Sequence, residues 1–322
     1  MVELSIVIVL YNEFEKVKNC INSVLKEKTT NSEILIIDNN SKKAGFEELK
    51  KKYPKIQFTR NSNNLGFARA ANIGFKKSKG NFILLLTPDT IVLPGTIRQT
   101  LSYIKKNSQV GLVGCRVYSY PRHFHLSAFR KFPNLISHLY EYNVIFYKCC
   151  KLVSKEYHPL FYSHEDHQKI LHPSNIIGAY LLLRKKAGKQ VGFFNSDYYM
   201  YREETDLCKR LRKYRWDIVY LPVGGLVHFG GSQWRKSSIT QCSPYYMNST
   251  YTFFKKYHSA FYLKITWLVG FVSTLMSVPY LFFVVLVKTV LNKPSQSKDL
   301  IPCWISIFHW HINEGRKFIY SK

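Results

Sequence analysis

The pattern of apolar and polar positions over the first hundred residues predicts strands that alternate with helices. Leu4–Leu10 has the length and apolar content of a buried strand, and residues 14–27 repeat apolar side chains at the spacing of an amphipathic helix. Three further strands and two further helices are predicted at Glu33–Ile37, 44–52, Ile56–Thr59, 67–78 and Asn81–Leu86. This alternation favours an α/β fold whose sheet is mainly parallel.

Polar clusters follow three of these predicted strands. Tyr11–Glu13 follows the first strand, Asp38–Ser41 the second, and Thr87–Asp89 the strand that ends at Leu86. Ligands of open α/β sheets bind outside the carboxyl ends of the strands. We therefore expect the three clusters to line one cleft.

The chain beyond residue 119 has a different pattern. Residues 119–172 hold few strand signals and many aromatic side chains, which predicts an irregular insertion that covers part of the cleft. A strand at Ile176–Arg184 and a short helical segment at Lys185–Val191 come next. A helix over 203–214 and a strand at Ile218–Leu221 complete this part of the chain.

The C-terminal part contains a long uncharged stretch. Trp267–Val287 is 21 residues without a charge, flanked by Lys264 and Lys288, and this length reaches the ~20 residues that span hydrocarbon. Pro279 and the hydroxyl residues inside it leave open a bent hairpin or a segment in the plane of the membrane. A buried core helix is the alternative. The lysine and aromatic flanks, with further aromatics at Trp304–Trp310, favour membrane contact.

Composition narrows the class of partner. The chain of 322 residues carries 47 Lys and Arg against 20 Asp and Glu, a formal net charge of +27. Such an excess predicts an anionic partner, which could be nucleic acid, an acidic membrane surface or a phosphorylated substrate. Lysine and arginine are spread along the whole chain, and no helix-turn-helix, RNA-binding or zinc pattern occurs, which disfavours nucleic acid.

The cysteines and the N-terminus bear on the compartment. The seven cysteines have irregular spacing and no C-x-x-C pair, which predicts reduced thiols and neither a disulfide framework nor a zinc ribbon. The first residues include an acid, and the apolar run that follows is too short for a signal peptide. Both features favour a reducing compartment.

Acidic residues are rare but clustered in one place. Asp197, Glu203, Glu204 and Asp206 fall within ten residues. Neighbouring like charges raise one another's pKa, which suits a carboxylate that accepts a proton. The alternative is favourable placement at a helix N-terminus, which would account for one or two of these acids but not for the preceding run of Tyr198, Tyr199 and Tyr201.

Asp89 and His228 are the candidate metal ligands. Asp89 follows an apolar strand and Pro88, where a carboxylate can hold a divalent ion against a diphosphate, or can simply form an Asx turn. A lone histidine is more often structural than a ligand. The two glycines and Ser232 that follow His228 allow a ligand to approach the backbone closely, which favours a functional role.

Seven short motifs occur in an order that resembles family 2 glycosyltransferases. They are Leu10-Tyr11-Asn12-Glu13, Ile37-Asp38-Asn39-Asn40-Ser41, Asn64-Leu65-Gly66-Phe67-Ala68, Leu86-Thr87-Pro88-Asp89-Thr90, Gly178-Ala179, Tyr201-Arg202-Glu203-Glu204-Thr205-Asp206-Leu207 and His228-Phe229-Gly230-Gly231-Ser232. The resemblance covers about residues 3–256 and is strongest to the rhamnosyltransferase-like branch that builds bacterial surface polysaccharides. It implies the GT-A fold, a Rossmann-like, mixed and mainly parallel sheet flanked by helices.

The resemblance also implies roles for individual residues. The donor side, which holds the base, ribose and diphosphate of a nucleotide sugar, would comprise Tyr11, Asn12, Glu13, Asp38, Asn64, Gly66, Arg69 and Thr87. Asp89 and His228 match metal-associated positions, with Mg²⁺ or Mn²⁺ as the ion. Glu204 matches the proposed base, with Glu203 beside it. The acceptor side would comprise Gly178, Arg202 and Asp206.

Two positions depart from the family pattern. Thr87 stands where an Asn or Asp is usual, and a neutral hydroxyl is a weaker metal ligand. Glu204 stands where the family has Asp, which keeps the carboxylate but adds a methylene. The departures leave open a catalytically weakened transferase that serves as a membrane-bound partner.

The expected protein is an inverting, metal-dependent transferase at the cytoplasmic face of the bacterial inner membrane. Residues 1–256 would form the catalytic domain, with an acceptor-side insertion at 119–172, and residues 257–322 a membrane-associated helical region. The donor would be a dTDP- or UDP-linked sugar, with rhamnose or another hexose as candidates. The acceptor would be a lipid-linked glycan or polysaccharide, and the excess of basic residues would face anionic lipid.

Overall fold

The computed structural model describes residues 2–119, 123–124, 128–154, 157–163, 165–230, 243–292 and 297–320. The strands are β1 (Leu4–Leu10), β2 (Ser32–Asp38), β3 (Gln57–Arg60), β4 (Phe82–Leu86), β5 (Thr90–Val92), β6 (Val110–Gly114), β7 (Val117–Ser119), β8 (His123–Phe124), β9 (Phe129–Arg130), β10 (Asn175–Ile176), β11 (Tyr180–Arg184), β12 (Asp217–Tyr220) and β13 (Leu226–His228). The helices are α1 (Phe14–Lys26), α2 (Phe46–Lys52), α3 (Phe67–Lys77), α4 (Thr96–Lys106), α5 (Leu135–Tyr142), α6 (Val144–Val153), α7 (Lys185–Val191), α8 (Glu203–Lys213), α9 (Pro244–Tyr257), α10 (Ala260–Val290), α11 (Ser297–Trp310) and α12 (Arg316–Tyr320).

A seven-stranded sheet forms the centre of the fold, in the order β12-β6-β11-β4-β1-β2-β3. β1 pairs in parallel with β2 and β4, whereas β11 runs antiparallel to both of its neighbours. All seven residues of β1 are buried, because helices such as α3 cover this part of the sheet. The mixed, mainly parallel sheet flanked by helices that the sequence predicted is confirmed.

The register of the central strands brings the polar clusters to one edge. Leu10 pairs with Asp38 and Ile8 with Leu86, so β1, β2 and β4 end at nearly the same level. The backbone N–H of Asn39 donates to the Leu10 carbonyl at 2.8 Å, which holds the first two loops together. The clusters that follow these strands therefore start side by side.

A small second sheet joins two distant parts of the chain. β13 lies antiparallel to β5 and parallel to β7, and its last residue, His228, pairs with Thr90. The ladder extends one step further, since the N–H of Phe229 donates to the Asp89 carbonyl at 2.9 Å. This register sets residue 228 beside residue 89.

Two predicted segments differ from the structure. The strand expected at Ile176–Arg184 is interrupted at Gly178-Ala179 and forms β10 and β11, which belong to different sheets. The stretch 119–172, expected to be irregular, contains α5 and α6. Asparagine side chains cap both helices: Asn134 accepts the Ser137 N–H at 2.9 Å, and Asn143 accepts the Phe146 N–H at 2.9 Å.

The chain divides into two compact units. One comprises residues 1–131 and 162–232, and the other comprises residues 132–161 and 233–322. The segment 132–161, expected to belong to the catalytic domain, therefore groups with the C-terminal helices, and α5 and α6 pack against α10. The division predicted at residue 256 stays a prediction.

α10 is longer than the uncharged stretch that predicted it. It runs for 31 residues, with Pro279 inside it, and by length and composition it could cross a membrane. The most apolar window of this helix has a mean hydropathy of 2.1, and only 28% of that window is buried inside the protein. A core helix of a soluble protein would be mostly buried.

The described cysteines are mainly free thiols. Cys20, Cys115 and Cys208 in the first unit are free and buried, and Cys149 and Cys150 in the second unit are free. Cys303, on α11, is disulfide-bonded, so the prediction of reduced thiols is wrong for this cysteine. Among the described residues of the first unit, no disulfide holds the fold.

Candidate active site

Asp38 organises the loops that follow β1 and β2. Its Oδ1 accepts hydrogen bonds from the backbone N–H and the hydroxyl of Ser41, and that hydroxyl oxygen accepts the Asn12 N–H at 2.8 Å. The Arg60 Nε lies 3.1 Å from Oδ2 in an ion pair that lacks the alignment of a hydrogen bond. The Asp38 side chain has no exposed surface. It therefore stabilises the donor-side loops through contacts inside the protein.

In the loop after β1, Tyr11 is exposed, whereas Asn12 forms hydrogen bonds within the protein. Asn12 has a left-handed backbone, with φ 61°, and its Oδ1 accepts the N–H groups of Lys42 at 2.7 Å and Lys43 at 3.1 Å. Tyr11 is 41% exposed, which leaves an aromatic surface on which a base could stack. The Glu13 carboxylate pairs with Lys16 at 3.2 Å.

An asparagine network connects the donor-side loops. The Asn39 amide donates to Asn64 Oδ1 at 2.7 Å, and its oxygen accepts hydrogen bonds from Asn61 and from the Leu65 N–H at 3.0 Å each. Asn39 belongs to a predicted motif but is not among the predicted site residues. Its hydrogen-bond partners lie more than 20 residues away in the sequence, so the motif alone does not reveal this role.

Gly66 allows the start of α3 to approach the acidic segment. Its φ is +81°, and a Cβ at this position would lie 2.5 Å from the Tyr199 carbonyl oxygen. The same oxygen accepts the Phe67 N–H at 2.7 Å. Nearby, the exposed Arg69 donates from Nε to the Ser196 carbonyl at 3.2 Å. Two of the predicted donor-side residues, Gly66 and Arg69, thus contact the segment that leads to the acids.

Asp89 and His228 form a close pair. The His228 Nε2 lies 3.3 Å from Asp89 Oδ1, and both side chains are 17% exposed. Burial would raise the pKa of Asp89, but the hydrogen bond and charge of His228 outweigh this effect and lower the pKa to about 2. Asp89 is therefore an anion at neutral pH.

The residues around this pair fit a divalent ion. Thr87 Oγ1 and His228 Nδ1 are buried and have no hydrogen-bond partner among the described residues. A Cβ on Gly230 would lie 2.4 Å from Asp89 Oδ2, so only glycine leaves that carboxylate oxygen accessible. Carboxylate, imidazole and hydroxyl are ligands that Mg²⁺ or Mn²⁺ accepts. The described residues contain no group of three or more His, Cys, Asp or Glu able to hold a metal, so a ligand from the donor would have to complete the site.

The acidic pair at the start of α8 follows a strained turn. Tyr201 and Arg202 have φ values of 71° and 64°, and consecutive left-handed residues other than glycine cost about 1–2 kcal/mol each. Such strain clusters at functional sites. It directs the chain so that Glu203 and Glu204 become the first residues of the helix.

The two glutamates have different environments. Glu203 is buried, and its Oε2 has no hydrogen-bond partner among the described residues. Burial, and then the charge of Glu204, raise the pKa of Glu203 well above its usual value. Glu204 is partly exposed and accepts the Thr205 hydroxyl at 3.2 Å. The more accessible carboxylate is therefore Glu204, the predicted base.

The predicted acceptor-side residues differ in what surrounds them. Asp206 is fully buried and pairs at 2.6 Å with Arg210, which also donates to the carbonyls of Val191 and Phe193, so this acid anchors α8. Arg202 is buried as well, and its carbonyl accepts the Asp206 N–H at 2.9 Å. A Cβ on Gly178 would meet nothing within 4 Å, which is consistent with open space beside that residue.

The residues fall into three groups. The structure brings Gly66 and Arg69 against the segment before α8, with Asn64 hydrogen-bonded to Gly66. It also pairs Asp89 with His228 and places Glu203 beside Glu204. Gly231 and Ser232, which complete the last predicted motif, lie outside the described residues.

The fold is that of GT-A enzymes. A solved structure of GalNAc-T7 with UDP, GalNAc and Mn²⁺ superposes with a TM-score of 0.57 at 14% identity, over 71% of this chain and 44% of that chain. At this identity the similarity shows the fold alone. The class is therefore a GT-A-like protein with a carboxylate–imidazole pair and an acidic pair in its first unit.

The chain belongs to glycosyl transferase family 2. The model of that family, described as "Glycosyl transferase family 2", matches residues 5–192, which is more than half of the chain. The predicted family resemblance is confirmed.

Curated relatives add context. An N-acetylglucosaminyl-diphospho-decaprenol L-rhamnosyltransferase of Mycobacterium tuberculosis (strain H37Rv) is 25% identical over 246 residues, covering 71% of this chain and 76% of that protein. A poly-beta-1,6-N-acetyl-D-glucosamine synthase of Staphylococcus epidermidis is 26% identical over 68% of this chain and 48% of that protein. An uncharacterized glycosyltransferase of Haemophilus influenzae is 29% identical over 34% of this chain, which spans 37% of that relative.

Proposed function

We propose that this chain is an inverting glycosyltransferase that moves a sugar from a nucleotide-diphosphate donor to an acceptor hydroxyl. The observation that carries the proposal is the Asp89–His228 pair, which the register of β5 and β13 assembles from residues far apart in the chain. Family membership and the fold of a UDP-binding neighbour support the donor class.

The acidic pair would supply the base. Glu204 would accept the proton of the acceptor hydroxyl while the acceptor oxygen forms a bond to the anomeric carbon from the face opposite the nucleotide. The bond from the anomeric carbon to the diphosphate oxygen breaks, and its electron pair leaves with the nucleotide diphosphate. The raised pKa of Glu203 favours its protonated form, which leaves Glu204 as the carboxylate that we propose as the base.

Asp89 and His228 would hold Mg²⁺ or Mn²⁺, with Thr87 able to contribute through its hydroxyl or a bridging water. When bound, such an ion supplies Lewis-acid stabilisation of the negative charge on the departing diphosphate. The low pKa of Asp89 keeps this carboxylate ionised through the range in which the reaction would run. Tyr11 and the loops held by Asp38 and Asn39 would position the nucleotide.

The acceptor is proposed to be a lipid-linked or polysaccharide glycan of the bacterial surface. The mycobacterial relative is named for a sugar attached to diphospho-decaprenol, and the staphylococcal relative for a polysaccharide. Helix α10 and the net charge of +27 suit a protein at the cytoplasmic face of the inner membrane, where anionic lipid and diphosphate carriers lie. The donor would be dTDP- or UDP-linked, with rhamnose or another hexose as the sugar.

Turnover tests this proposal. The full chain in detergent would be incubated with dTDP- and UDP-sugars, Mg²⁺ or Mn²⁺, and a polyprenyl-diphosphate glycan. Glu204→Gln should lower kcat about 10²- to 10⁴-fold, the usual contribution of a positioned base. Asp197→Asn, an exposed acid of the same segment, is the matched control and should keep full activity. Equal activity of Glu204→Gln and the control would refute the base assignment.

A weakened transferase that acts as a partner is the second candidate, and the neutral Thr87 in the metal motif is the observation that favours it. Hydrolysis of the donor sugar by the purified chain would count against it. Strongly salt-dependent binding to DNA or RNA, unaffected by nucleotide sugars, would instead point to a nucleic-acid-binding protein.

A further inference from the structure

The long helix α10 has an inverted pattern of side chains. The face that packs within the second unit consists mostly of small or hydroxyl residues, including Thr266, Gly270, Ser273, Thr274 and Ser277. The opposite face exposes large apolar residues, including Leu268, Leu275, Met276, Phe282, Phe283 and Leu286. Helices on the surface of soluble proteins show the reverse arrangement. Small residues at helix contacts and large apolar residues facing outward are typical of helices in lipid.

The buried hydroxyls of α10 have partners inside the second unit. Ser277 Oγ accepts the Val144 N–H at 3.1 Å, and Ser273 Oγ accepts from the Asn143 amide at 3.4 Å. The Ser277 and Thr274 hydroxyls also donate to carbonyls one turn earlier in the helix at 2.7 Å. The inward face therefore satisfies its polar atoms within the protein, as a helix in hydrocarbon requires.

The exposed apolar face matches the thickness of a bilayer. From Leu268 to Leu286 the helix rises about 27 Å at 1.5 Å per residue, against a hydrocarbon core of about 30 Å. Lys264 and Lys288 lie just outside the two ends of this face.

Helix α11 runs back along α10. The Phe271 and Phe308 rings stack with their centroids 5.6 Å apart, and Trp267 Nε1 donates to the His311 carbonyl at 3.2 Å. Only residues 291–296 separate the two helices in sequence. The last residues of α11 therefore lie near the first third of α10, and the pair forms an antiparallel hairpin.

Cations surround the base of this hairpin, where α10 begins and α11 ends. Lys255 and Lys256 close α9 just before α10, and Arg316 and Lys317 begin α12 just after α11. All four are exposed. Among the side chains that the structure describes between residues 244 and 320, Glu314 is the one acid. Each Lys or Arg near an anionic leaflet strengthens the attraction of the protein to that leaflet.

We propose that α10 and α11 insert into the lipid bilayer as one hairpin that enters and leaves on the same face. The large apolar side chains of α10 contact lipid, and the basic residues at the base of the hairpin contact anionic headgroups. The chain after α11 then lies on the side of the membrane from which α10 starts. The inference extends the proposed membrane location and does not depend on the proposed transfer reaction.

Protease accessibility tests the topology. The full chain, with an epitope tag after Lys322, would be placed in inside-out and right-side-out vesicles of a bacterial inner membrane. We expect an added protease to remove the tag and cleave the first unit in inside-out vesicles only. Removal of the tag in right-side-out vesicles, with the first unit still protected, would show a single crossing and overturn the proposal. Vesicles opened with detergent confirm that the tag can be cleaved.

Charge substitution tests the lipid-facing surface. The double variant Leu275→Glu, Leu286→Glu should lose the wild type's resistance to alkaline carbonate extraction from vesicles of phosphatidylethanolamine and phosphatidylglycerol. Two charges at membrane depth should lower partitioning at least about a hundredfold. Leu25→Glu is the matched control, because Leu25 is half exposed on α1 of the first unit. Retention of the double variant in the extracted membrane would overturn the proposal, as would release of the wild type by salt alone. Donor hydrolysis or turnover, measured in detergent, reports separately on the proposed reaction.

Discussion

The substitution Gly66→Ala should disrupt the contact between the start of α3 and Tyr199 through both backbone strain and steric overlap. Gly66 has a φ of +81°, and a left-handed alanine costs about 1–2 kcal/mol. The new Cβ would also lie 2.5 Å from the Tyr199 carbonyl oxygen, and relieving such a contact in a packed region costs about 1–3 kcal/mol. The expected total is about 2–5 kcal/mol in the free energy of unfolding.

Two other glycines separate these contributions. Gly192 has a φ of +79° with nothing within 4 Å of its added Cβ, so Gly192→Ala incurs the backbone cost alone. Gly178 has neither a positive φ nor a nearby atom, so Gly178→Ala should leave stability nearly unchanged.

Thermal unfolding of the full chain in detergent, with all three variants in parallel, is the assay. About 1 kcal/mol lowers Tm by roughly 2–4 °C in domains of 150–250 residues. Gly66→Ala should therefore lower Tm by about 2–12 °C more than Gly192→Ala does, because it adds the overlap cost, and it should also raise KM for the donor. A loss no larger than that of Gly192→Ala would refute the claim that Gly66 allows the contact with Tyr199.

Three further predictions concern the acids and the metal motif. Thr87→Asp restores a carboxylate usual in the family and should tighten binding of Mn²⁺ in a titration with the nucleotide diphosphate present; unchanged affinity would mean that Thr87 does not face the ion. Glu204→Asp should retain more kcat than Glu204→Gln, since it keeps a carboxylate, and equal loss in both would contradict a base at this position. Because burial raises the folded pKa of Glu203, wild-type stability falls as pH rises above the unfolded value of about 4.5 toward the folded value. The Tm of Glu203→Gln relative to wild type should accordingly increase between about pH 5 and pH 8, and a constant difference would exclude a buried, protonated Glu203.

The local pattern of apolar and polar residues was sufficient to predict much of the central sheet. β1 begins and ends at the predicted Leu4 and Leu10, because an apolar run of that length can be buried only as a strand in this setting. α7 likewise matches its predicted bounds of Lys185 and Val191. The parallel strands end at one edge of the sheet, and the polar clusters that follow them meet there. The sequence alone could therefore predict that the donor-side loops lie close together.

Other features depend on contacts between distant residues. β5 has only three residues and no periodicity to detect, yet its pairing with β13 is what joins Asp89 to His228. The roles of Asp38 and Asp206 could not be inferred from type and spacing, because each acid is buried against an arginine, Arg60 or Arg210, whose position follows from the fold. α10 continues through Pro279, since neighbouring helices and hydroxyls can satisfy the carbonyl that proline leaves unpaired.

The packing of the second unit has a practical consequence for producing the protein. Truncation before Ser259, an obvious way to obtain a soluble catalytic fragment, would remove the partners of a segment much earlier in the chain. The Leu135 N–H would lose the Tyr262 hydroxyl at 2.7 Å, and the Val144 N–H would lose Ser277. Residues 132–161 would remain in such a fragment as two helices with their apolar and polar contacts exposed, and aggregation or proteolysis in mid-chain would follow. Full-length protein in detergent or lipid is therefore the form in which the enzyme should be purified and assayed.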